Sequence, residues 1–166
     1  MKKIDNRSRQ WKVSTVDPPM LTRQEWVMAN LLGGLFILTA LLQLISFGEF
    51  ADILKPMGLP GPGVWAAAAI GAELLAAASL FRLKLSYLFR LVAGASALLV
   101  SGFWFVLSAQ NLATGREQLP SSGLFGGFFN QSPGWWVIVE VTVLMFSTIY
   151  VVALTRYIIV TPLKRK

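Results

Sequence analysis

Residues 26–47, 64–81, 91–109 and 135–155 form four predominantly apolar runs, each long enough to cross a bilayer. A membrane-spanning helix needs about 20 such residues to cover roughly 30 Å of hydrocarbon. Lipid offers no partner to a bare backbone N–H or C=O, so runs of this kind span as helices. The pattern predicts an all-α integral membrane protein: a left-handed four-helix bundle whose helices approach at small residues.

Charge orients the bundle. Thirteen of the fifteen Lys and Arg residues fall on one side of the runs: in residues 1–25, around Arg82, Lys84 and Arg90, and from Arg156 onward. Only Lys55 and Arg116 fall on the other side. Short loops rich in Lys and Arg stay cytoplasmic. Both termini are therefore expected in the cytoplasm, with the chain in a bacterial inner membrane. Residues 1–25 have no apolar h-region and no small-residue cleavage site, and Pro18-Pro19 interrupts any continuous helix into the first run. They are expected to form a cytoplasmic N-terminal arm that lies along the membrane or grips a partner, with a solvated, disordered tail as the alternative. Residues 26–157 would then be the transmembrane domain and 158–166 a basic tail. The formal charge of +7 would point a soluble chain towards nucleic acid. Here topology alone accounts for it, and no nucleic-acid partner is expected.

The chain contains neither Cys nor His. Thiolate chemistry and thiolate-held iron–sulfur clusters are thereby excluded, as is imidazole ligation of haem, copper or zinc. No phosphate loop or nucleophile elbow is present. No cofactor is expected on the chain's own side chains, while contact with lipid, quinone or a neighbour's pigment stays open. The expected partners are membrane lipids and other integral membrane subunits.

Between the first two runs, Phe47, Phe50, Ile53, Leu54 and Met57 recur at helical spacing, and Pro60-Gly61-Pro62 follows. This spacing predicts a short interfacial helix over the bundle mouth. The second run is rich in alanine, which places it at the centre of the bundle, and the short link after it makes the third run an antiparallel neighbour. In the third run, Phe103-Trp104-Phe105 is assigned to packing or to an interfacial belt. The connection over 110–134 carries many apolar side chains among glycines. Ser122, Gly123, Leu124, Phe125, Gly126, Phe128 and Phe129 there form a candidate partner-contact loop.

Two carboxylates interrupt the runs. Glu73 lies near the middle of the second, and Glu140 about a quarter of the way into the fourth. Such groups are costly in hydrocarbon and face the bundle interior. Two roles are open: a functional pair, for proton transfer or for hydrogen bonding a quinone-like head group, or neutral glue between helices. Gln43 lies at a depth similar to Glu140, and Glu73, Glu140 and Gln43 form the candidate intramembrane polar site.

The stretch Gly34-Leu35 through Leu41-Leu42-Gln43-Leu44, then Phe50-Ala51 and Gly58-Leu59-Pro60, resembles the opening segment of the DoxX and MauE-like group of small bacterial membrane proteins. Glu73-Leu74 is similar to that group's Glu-containing second helix. The resemblance implies four spans with both termini inside. In the MauE-like branch the last outer loop carries a Cys-Gly-Cys-Phe-Gly element, which aligns here with Ser122-Gly123-Leu124-Phe125-Gly126. With both cysteines replaced, the resemblance implies the scaffold without its thiol chemistry. The function expected is a non-catalytic accessory subunit of a larger inner-membrane complex of electron transfer or energy conversion. The alternative is a quinone-interacting, DoxD-like membrane subunit that uses the intramembrane carboxylates.

Overall fold

The computed structural model describes residues 15–16, 20–81, 83–116, 119, 121–128 and 131–156. Most of the predicted arm, the basic tail, Phe129 and Tyr157 lie outside the described residues.

Five helices account for nearly all of the described chain: α1 (Arg23–Ile45), α2 (Phe47–Leu54), α3 (Pro62–Leu80), α4 (Tyr87–Ala113) and α5 (Trp135–Arg156). Local chemistry fixes their ends. Thr22 and Glu25 cap α1 reciprocally: the Thr22 N–H donates to Glu25 Oε2 at 2.8 Å and the Glu25 N–H to Thr22 Oγ1 at 3.4 Å. Gly61, at φ +64°, turns the chain into α3, and Pro62 occupies its first turn, where no backbone donor is missed. Ser86 accepts from the Phe89 N–H at 3.3 Å and starts α4.

α4 is longer than the apolar run 91–109 that predicts it, because Tyr87 to Arg90 and Gln110 to Ala113 continue the helix past the hydrocarbon-like segment. The one strand pairing among the described residues is a two-residue antiparallel pair, β1 (Thr15–Val16) with β2 (Leu85–Ser86). It ties the segment before α1 to the α3–α4 link.

The helices run up and down. Gly33 of α1 lies against Leu80 and Phe81 of α3, while Gln43 of α1 reaches Glu73 of α3, so these two are antiparallel. Trp65 of α3 stacks on Phe103 of α4 with ring centroids 5.9 Å apart, and Gly94 of α4 meets Val152 of α5. α3 packs between α1 and α4 and against α2, and its small side chains allow the close approach. Of the glycine pair in α1, Gly33 makes the close approach: a Cβ there would sit 3.3 Å from Leu80 Cβ, whereas nothing lies within 4 Å of Gly34. α1 and α5 meet only sparsely, and a cleft opens between them.

α2 packs back over one end of the bundle. Its Phe50 and Leu54, and Met57 just after it, are fully buried, while Glu49 and Asp52 face outward. The outer surface of the bundle is the inverse of a soluble protein's: Leu31, Leu38, Leu99, Val106 and Phe146 each expose half or more of their area. A continuous apolar surface on four helices of spanning length is stable where lipid replaces water. The protein is a multi-pass membrane protein.

Candidate functional site

The buried face of α1 carries Phe36, Thr39 and Gln43, spaced three and four apart so that they stand in one row. α4 buries Ala93, Ala97, Val100, Trp104, Leu107 and Asn111 with the same alternation. The small residues early in that row let α4 come close to its neighbours, and the row then delivers the Trp104 indole into the interior. α3 contributes Glu73 from its buried face, between Ile70 and Ala76.

These three rows converge on one atom. Glu73 is 1% exposed, and its Oε1 accepts from Gln43 Nε2 at 3.1 Å and from Trp104 Nε1 at 2.9 Å. The bonds tie α1, α3 and α4 together. The second carboxyl oxygen, Oε2, is buried and has no hydrogen-bond partner, and neither has Oε1 of Gln43.

Gln43 has a further task. Its amide also donates to the Leu124 carbonyl at 3.0 Å and so draws the α4–α5 loop into the bundle. The loop follows a tight path there: the Gly126 N–H donates to the Gly123 carbonyl at 2.9 Å, and the Gly127 N–H to Ser46 Oγ at 3.0 Å. Gly126 sits at φ +62°, and a Cβ on it would lie 2.5 Å from Ser46 Oγ and 3.0 Å from Gln43 Cα. Glycine is required at this position both by backbone conformation and by space. Among the residues assigned to partner contact, Ser122, Gly123, Leu124 and Gly126 are buried in the protein itself, and Phe125 is half-buried. Only Phe128, 57% exposed, is displayed among the described ones.

Beside Glu73 the cleft between α1 and α5 has a volume of about 240 Å3. Phe36 and Thr39 of α1, Glu73 of α3, Leu124 and Phe125 of the loop, and Glu140 of α5 border it. Glu140 is exposed and accepts two bonds from Gln131 Nε2, at 3.1 and 2.9 Å. The structure thus brings Gln43 and Glu73 into direct contact and puts Glu140 on the same cleft. The pocket predicted to be shared by Gln43 and Glu140 is organised differently, since Gln43 bonds Glu73 and Leu124 while Glu140 bonds Gln131.

Sequence reasoning left Trp104 as a packing or interfacial aromatic and passed over Thr39 and Ser46. The signal for Trp104 was its place in line with Ala93 and Ala97, on the face that small residues mark as the inside. Among the described residues, no group of three His, Cys, Asp or Glu side chains comes together as a metal site.

A family model described as "Methylamine utilisation protein MauE" matches residues 24–155. No curated protein and no solved structure matches the chain. The matched segment runs from the first turn of α1 to the last turn of α5, and includes the Glu73 cluster, the inward loop and the cleft. The chain belongs to the MauE family of methylamine utilisation proteins.

Proposed function

We propose that this protein is a non-catalytic accessory subunit of a membrane assembly that serves methylamine utilisation, in a bacterial inner membrane with both chain ends in the cytoplasm. The observation that carries this reading is the use made of its most deeply buried acid. Oε1 of Glu73 is engaged by donors from α1 and α4, an arrangement that holds helices together. With neither Cys nor His anywhere, the chain has no thiolate or imidazole with which to ligate a redox metal. At the positions where the MauE-like branch is expected to carry its two cysteines stand Ser122 and Leu124, and the Leu124 carbonyl serves as the acceptor for Gln43.

The orientation rests on charge. Arg23, Lys84 and Arg90 gather at the end of the bundle where α1 begins and α3 meets α4, and Lys55 and Arg116 are at the opposite end. α2 would then lie at the outer interface, and exposed Phe128 together with the stacked pair Trp135 and Trp136 would offer the contact to a partner subunit. The quinone alternative would place the head group in the cleft that Glu73 and Glu140 border.

Purification of a tagged chain from its native membrane in mild detergent tests the assembly. Co-elution with other membrane subunits is expected, and a monodisperse monomer that brings nothing with it would defeat the proposal. Deletion of the gene in its host should abolish growth on methylamine and spare growth on ammonium. Unimpaired growth on methylamine would remove the metabolic half of the reading.

A further inference from the structure

Resting on the reading that the protein serves methylamine utilisation, we infer that the cleft between α1 and α5 is a binding site for a primary alkylammonium ion, with the carboxyl groups of Glu73 and Glu140 receiving the ammonium head. Both acids on the cleft wall have oxygens placed to accept. Glu73 keeps its buried Oε2 without a partner while Oε1 is fully used. The Thr39 hydroxyl, also on the wall, lies within hydrogen-bonding distance of the carbonyls of Leu35 and Phe36, at 3.2 and 3.1 Å. Glu140 brings two further oxygens at the exposed rim. No Lys or Arg side chain borders the cleft among the described residues.

A ligand that fits these two acids must be rich in donors and positively charged. A primary ammonium has three N–H donors and no acceptor. It also provides, from outside, the counter-charge that the chain does not place beside these acids, which is the condition under which an intramembrane carboxylate is tolerated. The rest of the lining is apolar. Phe36 and Phe125 flank the acids, and ring faces attract cations as well as alkyl chains. At about 240 Å3, the cleft has room for a short alkyl tail beside the head group. Glu140, at the rim, would meet the cation first, and Glu73, at the base, would hold it.

The test uses the full chain in nanodiscs, with butylammonium chloride as the probe and calorimetry as the readout. Empty nanodiscs correct for partition into lipid, and 1-butanol serves as the uncharged analogue. Saturable binding of one butylammonium per chain is expected, and 1-butanol should give none at the same concentrations. Glu73→Gln should weaken the affinity at least tenfold and Glu140→Gln at least threefold. The inference is overturned by no saturable binding to the wild type, by 1-butanol binding as tightly, or by unchanged affinity in either variant. Should Glu73→Gln fail to fold, the exposed Glu140→Gln decides alone, and an unchanged affinity there is sufficient to reject the site.

Discussion

Oε1 of Glu73 holds an amide from α1 and an indole from α4, so the loss of either donor releases one helix contact and leaves the acid less well satisfied. Hydrogen bonds between helices in lipid contribute about 0.6–2 kcal/mol each. Trp104→Phe removes one such bond together with part of a large buried side chain, and should destabilise by about 1–3 kcal/mol. Unfolding by denaturant in mixed micelles measures this, and a variant as stable as the wild type would mean that the indole bond contributes nothing. Two glycines give a sharper contrast. Gly126→Ala forces a side chain into the left-handed region and against Ser46 and the Gln43 backbone, at a cost of roughly 1–3 kcal/mol. Gly34→Ala meets open space in a helix and should stay within about 0.5 kcal/mol of the wild type. Melting temperatures of the two variants in the same detergent must differ in that order. At this scale the sequence was half legible. Glu73 stood out because an acid in an apolar run is rare, and Gln43 because it is polar at a fixed depth. Trp104 did not stand out, since an indole at the end of a span looks the same whether it faces lipid or points inward; only its register with Ala93 and Ala97 separates the two.

The four spans and α2 follow directly from periodicity and run length, because lipid leaves the backbone no alternative to helix and the apolar spacing of Phe50, Leu54 and Met57 has one compatible face. The inward fold of the α4–α5 loop was not legible in the same way. Its apolar side chains satisfied a surface-lying loop equally well, and the deciding factors are a long-range bond from Gln43 and the missing side chain of Gly126. The β1–β2 pair was equally hidden, for two residues carry no periodicity at all. α2 itself offers a test of whether it is a lid or a passenger. Phe50 is fully buried, 6.0 Å from the Trp104 ring centroid, and it also faces Gly123 of the loop. Phe50→Ala should therefore cost about 3–5 kcal/mol and loosen the loop as well as the helix. Phe47, at the start of α2 and partly exposed, should cost less than about 1 kcal/mol when replaced by Ala. Hydrogen exchange over residues 121–127 provides the second readout: protection lost in Phe50→Ala and kept in Phe47→Ala marks α2 as the element that holds the loop down. Equal protection in both variants would make α2 a bystander.

For the molecule as a whole, one physical asymmetry governs the rest. Apolar surface covers the flanks of all four spans, so the flanks cannot tell the bundle which way to insert. The ends can. Among the described residues, Arg23, Lys84 and Arg90 gather at one end, and across the molecule stand only Lys55 and Arg116, the first beside Asp52 in an ion pair. Lys and Arg near span ends set orientation, and acidic residues contribute little to it. Reporter fusions after Arg23, after Lys84 and after Arg156 should therefore all read as cytoplasmic, and fusions after Lys55 and after Arg116 as periplasmic. Because three separate segments carry the bias, replacement of Lys84 and Arg90 by Gln should leave that pattern intact, whereas a cluster of lysines introduced after Arg116 in the same variant should yield a mixed population. A fusion after Arg156 that reads as periplasmic in the wild type would break the up-and-down order of four spans. With it would fall the placement of the Glu73 cleft in the half of the membrane nearest α2 and the α4–α5 loop, where Leu124 and Phe125 close over it.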